Sequence, residues 1–240
     1  MRKSIFVAFA MCGALVVADD VDASTLITFD NGSFSEGENL QGALKTVDGI
    51  SFSISATSID GNGFPTVFNT DCNGLRIESA RPECSGNDDD LSSPFPNSDG
   101  GADLDAGLAL IFNETDNLGA SGPNDDPSGA KITFSFTRAV KLLGLDLLDL
   151  GDGNENQGLT IKADGIVILS GAIVGANGEY RSFVPTLTGI FAKEYEFDYT
   201  GSGAIDNLKV SAVPLPAALP LMLVGLGGLT LMSRRRRQAI

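Results

Sequence analysis

The sequence breaks into short runs of β-forming residues separated by turns rich in Gly, Asn, Asp and Ser. In several runs apolar residues alternate with Ser or Thr, as at Ile132, Phe134 and Phe136, which is typical of a strand with one buried face. No convincing amphipathic helix precedes the C-terminal tail. The predicted strands are Leu26–Phe29, Ile50–Ile54, Leu108–Phe112, Ile132–Phe136, Val140–Leu150, Leu159–Ala163, Ile166–Leu169, Tyr180–Val184, Glu194–Tyr199 and Ile205–Val210.

About ten short strands with regular turn signals predict an all-β domain, a jelly-roll-like β-sandwich, over residues 24–212. That length suffices for one domain with a buried core. The leucines of Val140–Leu150 also fit a helix, but Gly144 and the flanking strands favour a strand. Residues 60–105 hold many Gly, Pro, Asn and Asp residues and are predicted to form a long loop rather than strand.

The predicted domain is strongly acidic. The chain has 16 Lys and Arg and 31 Asp and Glu; leaving out the six cations and three acids outside residues 24–212 gives 10 and 28, a net charge of −18. Such a charge argues against nucleic acid and anionic membrane surfaces as partners. It favours solubility and the binding of divalent cations, and solvation alone is the simpler explanation.

The cysteines fit an exported protein. Cys12 lies in the N-terminal leader, so Cys72 and Cys84 remain as an even pair. We predict a disulfide between them, closing a loop of about 13 residues and stabilising the fold by about 3 kcal/mol. A metal pair or two free thiols are the alternatives, although two cysteines in a chain without histidine do not make a usual zinc site.

The N-terminus has the organisation of a signal peptide. The Arg2-Lys3 pair forms a positive n-region, and Ile5–Val17 forms an apolar h-region of about 13 residues. That run is too short to span a bilayer comfortably. We favour cleavage after Ala23, which makes residues 1–23 the leader, and cleavage after Ala18 is nearly as good.

Residues 213–240 form a three-part tail. A proline motif comes first: Val213, Pro214, Leu215, Pro216 and Ala217. From Leu215 to Met232 no residue is charged, and these 18 residues at about 1.5 Å each give about 27 Å, just enough for a bilayer core. A basic cluster comes next: Arg234, Arg235, Arg236 and Arg237. We predict a transmembrane helix over residues 218–233 with the arginines in the cytoplasm; a plain anchor and a buried core helix are the alternatives.

This tail resembles a PEP-CTERM sorting signal of the VPLPA variant. The resemblance covers residues 213–240 and implies export by a Gram-negative bacterium, through the Sec machinery that reads signal peptides. It also implies recognition by an exosortase, a membrane transpeptidase-like enzyme, and cleavage near the proline motif. The family's usual Pro-Glu-Pro is replaced by Pro214-Leu215-Pro216, which implies a subtype of exosortase.

The body resembles the β-domains of many PEP-CTERM proteins over most of its length. Three segments carry the likeness: the Ile-Thr-Phe-Asp strand at 27–30, Lys131–Thr137 with the Leu-Gly-Leu-Asp-Leu-Leu-Asp that follows, and Gly201–Leu208. The resemblance implies a jelly roll akin to carbohydrate-binding modules, with no established activity.

Acidic turns are the main candidate site chemistry. Asp149, Asp152, Asn154 and Asn156 are a candidate calcium site, because calcium takes six to eight oxygens from carboxylates, amides and carbonyls. The segment 152–163 begins like an EF-hand loop but lacks its glycine and its closing glutamate. Any site would therefore be assembled across loops, and acidic turns facing water are the alternative.

Composition argues against an enzyme. The chain contains no histidine, which excludes Ser-His-Asp and Cys-His catalysis, and we find no phosphate-binding glycine loop. The chain has no tryptophan to stack on sugars, and its three tyrosines include Tyr195 and Tyr199 on one strand face. These two form either a small sugar platform or, as we prefer, part of the core.

The sequence therefore predicts an exported structural or adhesive protein of the cell surface or extracellular matrix, with no enzymatic activity. A place in an exopolysaccharide or biofilm layer is implied by the resemblance alone. Two alternatives remain, a calcium-dependent carbohydrate-binding module and a secreted polysaccharide hydrolase, because a glycosidase needs only two suitably placed carboxylates.

Overall fold

The structure is a computed structural model that describes residues 24–58, 61, 63–72, 91, 93–113, 129–149, 157–173, 178–185 and 189–212. These residues lie in one compact unit, Ala23–Val213. They form an antiparallel sheet of eleven strands, and their one helix is a 3₁₀ turn at Thr70–Cys72. The predicted all-β class is confirmed.

The sheet is built from strands of very unequal length. The strands are β1 (Ser24–Ile27), β2 (Leu44–Val47), β3 (Ile50–Ser58), β4 (Phe64–Asn69), β5 (Leu108–Asn113), β6 (Ala130–Leu148), β7 (Gln157–Ala163), β8 (Ile166–Ile173), β9 (Tyr180–Phe183), β10 (Phe191–Tyr199) and β11 (Ala204–Ala212). The main order is β4-β5-β11-β6-β10-β7-β8; β1 also pairs with β11, β3 and β9 with β6, and β2 with β3.

The sheet is organised around β6, the longest strand. Its first part, Ala130–Phe136, pairs with β3 on one edge, and β10 pairs on the other edge with Ala130–Ser135 and again with Val140 and Lys141. Its second part, Val140–Leu148, pairs with β11 and, at its end, with β9. The strand interpretation of the leucine-rich segment is therefore confirmed up to Leu148. One strand thus serves two groups of neighbours that are far apart in sequence.

Two strands were missed from the sequence. The prediction that residues 60–105 hold no strand is wrong at β4. Pro65 made this segment resemble a loop, although the strand is buried along most of its length. A proline fits here because β4 ends the main strand order, at a sheet edge, and Pro65 O accepts a hydrogen bond from the loop residue Leu40. The hairpin of β2 and β3 turns at Asp48 and Gly49, both at positive φ, as two-residue hairpins require.

Alternation predicts the core correctly. Ile132, Phe134 and Phe136 are at most 4% exposed, while the Ser and Thr residues between them face outward. Phe134 meets Phe197 of β10 edge to face, with ring centroids 5.7 Å apart. Such contacts add about 0.5–1.5 kcal/mol beyond the burial of area. Aromatic residues of β3, β6 and β10 thus form the centre of the larger of two core clusters.

Tyr195 is buried at the point where β6 changes partners. Its hydroxyl donates to Val140 O over 2.9 Å and accepts from Leu142 N over 3.1 Å. The pairing of β10 with β6 shifts register between Ala192 and Glu194, immediately before Tyr195 in the chain. Tyr195 and Tyr199 are 1% and 5% exposed, so their packing role is confirmed and the sugar platform is wrong.

The two terminal predictions lie outside the described residues. These are the signal peptide at residues 1–23 and the tail at 213–240, with its proline motif, helix and arginine cluster. Within the described part, no helix is long and apolar enough to cross a membrane. Both remain predictions.

Replacing Tyr195 by Phe tests the importance of the hydroxyl. The change leaves Leu142 N–H without its acceptor inside the core, so we expect a loss of about 1–3 kcal/mol in the free energy of unfolding. Urea denaturation of the purified domain measures this. Thr137→Val removes a hydroxyl that bonds Ser51 O on the exposed face, and should cost less than about 0.5 kcal/mol. Equal losses in the two variants would contradict the assignment.

Candidate functional site

An open groove of about 330 Å³ lies along β9 where it pairs with the end of β6. Its polar lining is Asp99, Arg181 and Ser182, and its apolar lining includes Leu147, Leu169, Phe183 and Val184. Most of these side chains lie on strands of the sheet, whose backbone is fixed by pairing. Asp99 instead comes from the loop before β5.

A charged pair lines the groove. Arg181 Nη2 and Nε lie 3.1 and 3.3 Å from the two carboxylate oxygens of Asp99. Both side chains remain exposed, by 41% and 59%, so the pair contributes little to stability. A guanidinium has five N–H donors in a planar fork. Arg181 therefore keeps donors available for a ligand while Asp99 holds the fork in position.

The loop that carries Asp99 is anchored to β9 beside Arg181. Asn97 Oδ1 accepts from Asp99 N over 2.8 Å, and Asn97 Nδ2 donates to the Tyr180 hydroxyl over 2.8 Å. That hydroxyl in turn donates to Ala102 O. Because Tyr180 is largely buried in β9, its hydrogen bonds fix the loop to the sheet. The backbone segments that carry Arg181 and Asp99 are thus held next to each other.

Apolar side chains lie next to this pair. Val184 is 70% exposed, and Phe183 and Leu169 are half-buried. The neighbour of Phe183, Ser182, donates from its hydroxyl to Asp146 Oδ1 over 2.5 Å. The groove therefore combines hydrogen-bonding groups with apolar surface, which is the usual composition of a small-molecule binding site.

Asp206 is buried near the inner end of this polar network. It pairs with Asp146 across β11 and β6, and Asp146 Oδ2 also accepts from Asn207 Nδ2 over 2.8 Å. Asp206 is 1% exposed, and its Oδ1 has no hydrogen-bond partner among the described residues. Burial first, and then the charges of Asp30 and Asp146, raise the pKa of Asp206 to about 7.

A second carboxylate, Asp30, follows β1 at the same place. Leu108 N donates to Asp30 Oδ1 over 2.6 Å, which ties the exit of β1 to the start of β5. Burial raises the pKa of Asp30, and the nearby charge of Asp105 adds to the rise.

The predicted calcium ligands are only partly described. Asp149 is 1% exposed and ends β6 with a φ of +48°. Its carboxylate accepts from Gly178 N over 2.6 Å and from the Ser202 hydroxyl over 3.3 Å. The other three, Asp152, Asn154 and Asn156, lie outside the described residues. That site remains a prediction.

The predicted disulfide is likewise described on one side only. Cys72 ends the 3₁₀ turn, and Cys84 lies outside the described residues. In the described ranges, no group of three or more His, Cys, Asp or Glu side chains is arranged to hold a metal ion.

Sequence reasoning missed both the groove and the buried acid. Asp99 and Arg181 are 82 residues apart, so no local pattern links them. Asp206 did carry a signal, because an Asp-Asn pair interrupts the predicted strand Ile205–Val210.

Comparison with known proteins identifies no family. No family model matches the chain, and no curated protein matches it. A search of solved structures finds "CpGH89CBM32-6 produced by Clostridium perfringens", at 12% identity over 38% of this chain and 74% of that one, with a TM-score of 0.26. A likeness this weak carries no argument about fold or function.

The raised pKa of Asp206 predicts a pH dependence of stability. In the unfolded chain this carboxyl loses its proton near pH 4, whereas in the fold it holds the proton up to about pH 7. Its contribution to stability is therefore present at low pH and is lost as the pH rises between these values, by up to about 4 kcal/mol. Asp206→Asn lacks this titration.

Urea denaturation at several pH values, in chelator, measures the difference between the two proteins. We expect the stability of the wild type, relative to Asp206→Asn, to fall from pH 4 to pH 8. A difference that stays constant over this range would show that Asp206 ionises at its ordinary pKa.

Proposed function

We propose that this chain is an exported protein of the cell surface or extracellular matrix whose β-domain binds a glycan-type ligand in the groove beside β9. The observation that carries the proposal is the Arg181–Asp99 pair next to exposed apolar side chains. Sugar rings present hydroxyl groups at their edges and C–H groups on their faces. A site with planar donors and an apolar wall complements both.

Export and sorting form the second part of the proposal. The signal peptide directs the chain to the Sec machinery, and an exosortase recognises residues 213–217 and removes the tail. The arginines at 234–237 hold the precursor in the membrane with its domain outside. The jelly-roll-like sandwich remains part of the proposal, and the antiparallel sheet and its two core clusters support it. Its role is structural or adhesive, in a polysaccharide layer.

Binding is favoured over hydrolysis by the lining of the groove. A glycosidase needs two carboxylates on opposite sides of the scissile bond. Among the described lining residues, Asp99 is the one carboxylate, and it is paired with Arg181. The charge of −18 over residues 24–212 also supports a neutral or cationic ligand rather than nucleic acid.

Glycan-array binding tests the groove. Arg181→Ala removes the donor fork and Phe183→Ala removes part of the apolar wall, so we expect each to weaken binding at least tenfold. Lys162→Ala is the control, since it removes a cation that pairs with Glu196 on another part of the sheet. A wild type that binds no glycan, or an Arg181→Ala variant that binds as well as Lys162→Ala, would refute the proposed site.

Mass spectrometry of the exported protein tests the sorting proposal. We expect a mature C-terminus near residues 213–217 and an N-terminus after Ala23 or Ala18. Replacing Pro214 and Pro216 by Ala should leave the tail on and retain the protein in the membrane fraction. Replacing Pro65 by Ala, far from the tail in sequence, should not. A tail-bearing form that dominates in wild-type cells contradicts processing.

A further inference from the structure

The outer edge of β8 is a free edge of the sheet. β8 (Ile166–Ile173) ends the main strand order, and β7 is its one partner among the described strands. No other backbone hydrogen bond reaches β8 from the described part of the chain. A free edge presents a row of N–H and C=O groups that can pair with another extended segment.

Other edges of the sheet are covered or protected. At β4 a loop bonds to the strand, with Leu40 N donating to Pro65 O over 2.8 Å. At β9 another loop does the same, with Tyr180 N donating to Pro96 O over 3.0 Å. β2 is only four residues long and includes Lys45, and short strands and lysines both disfavour edge pairing. β8 is eight residues long and has no charged residue and no proline.

β8 also exposes apolar side chains. Ile166 and Val167 are 68% and 52% exposed, and Ile168 and Leu169 are only partly buried against the core. A short segment with high β propensity, no charge and no proline favours pairing between identical copies of itself. Such pairing would also remove apolar surface from water.

The register of the sheet shows which backbone groups of β8 point outward. Thr200 N donates to Gly158 O, so the even-numbered residues of β7 direct their backbone groups towards β10. Leu169 lies opposite an odd-numbered residue of β7 and therefore faces that strand. Because backbone direction alternates along a strand, its neighbours Ile168 and Ser170 direct their N–H and C=O groups away from β7.

We propose that β8 pairs with β8 of a second copy of this chain, which makes one continuous sheet through a two-fold dimer. A two-fold axis places the two identical strands antiparallel. With the axis at Leu169, Ile168 of each copy lies opposite Ser170 of the other, and both outward-facing residues form hydrogen-bonded pairs. Val167 then lies opposite Gly171 of the other copy. There is room for it, because a Cβ added at Gly171 would meet no atom within 4 Å.

Charge favours a second copy at this edge over its other faces. The net charge of −18 over residues 24–212 makes two copies repel each other wherever acidic surfaces meet. Along β8 the opposed side chains are uncharged, so the new ladder places no like charges opposite each other. The neighbouring cation, Lys162 of β7, is already paired with Glu196.

The dimer is expected to be weak in dilute solution. Pairing of two short strands covers less than the about 1,600 Å² of a standard interface, so a micromolar rather than a nanomolar complex is expected. Copies held on one surface have a high effective concentration, which favours pairing there. Weak pairing therefore suffices for a protein that works in a layer.

The proposed interface adjoins the groove beside β9. Leu169 and Gly171 line the groove as well as this part of β8. The two-fold would place Val167 of the second copy next to the groove and would bring both grooves of the dimer to one interface. A dimer could then hold two ligand segments at once. The pairing itself needs no glycan.

Sedimentation velocity over a concentration series tests the pairing, with protein that spans residues 24–212 and no glycan present. We expect a monomer–dimer equilibrium with a dissociation constant of about 10–100 µM. Association should strengthen as NaCl rises from about 0.05 to 0.5 M, because salt screens the repulsion between acidic copies. Val167→Lys should weaken association at least tenfold, since it places a charge in the ladder. Leu44→Lys makes a similar change on exposed β2 and should not.

Cysteine cross-linking tests the register. In the proposed dimer the two Leu169 residues form a non-hydrogen-bonded pair with Cα atoms about 4.5 Å apart, within the range of a disulfide. Leu169→Cys should therefore give a covalent dimer on mild oxidation. Val167→Cys should not, because its two copies lie about 13 Å apart along the ladder. The wild type, with its own cysteines, gives the background.

The dimer and the glycan site fail separately. Arg181→Ala should associate as the wild type does, whatever its effect on glycan binding. A wild type that stays monomeric up to about 1 mM would overturn the dimer, and so would full association in Val167→Lys or an association that salt weakens. If Val167→Lys does not fold, as judged by circular dichroism, the Leu169→Cys cross-link decides. A cross-link no stronger than the background then overturns the pairing.

Discussion

The architecture depends on the continuity of β6 across its change of partners. On one edge β3 is followed by β11, and on the other edge β10, which reaches Lys141, is followed by β9. A strand with two successive sets of partners must keep its register at the point where the partners change. The hydroxyl of Tyr195 does this with two hydrogen bonds to the backbone of β6. Burial raises the pKa of that hydroxyl, so it stays protonated and able to donate.

The sequence predicts those parts of the fold in which local pattern and burial agree. Alternation identifies β3 and the first part of β6 because one face is apolar and the other carries Ser and Thr. It fails at β4, where most positions are buried and Pro65 suggests a loop. It also fails at β2, a four-residue strand whose stability comes from its partner β3 and from the turn at Asp48-Gly49.

The candidate site could not be predicted in the same way, because its residues meet only through tertiary pairing. Asp99 reaches Arg181 through a loop that is anchored on Tyr180, and the buried Asp206 lies opposite Asp146 of a strand about 60 residues earlier in the chain. Acidic composition did indicate cation chemistry, but it favoured the segment that begins at Asp149, most of which lies outside the described residues. Exposed turns are rich in acids for solvation alone. A buried acid inside a strand is the stronger signal, and only the structure reveals burial.

The groove is joined to β11 by one carboxylate. Asp146 Oδ1 accepts from Ser182, which lines the groove, and Asp146 Oδ2 accepts from Asn207 of β11. Because both oxygens accept hydrogen bonds, Asp146 ties β9 to β11 across the end of β6, and the strand that carries Arg181 is fixed on the side of Ser182 as well as on the side of Tyr180.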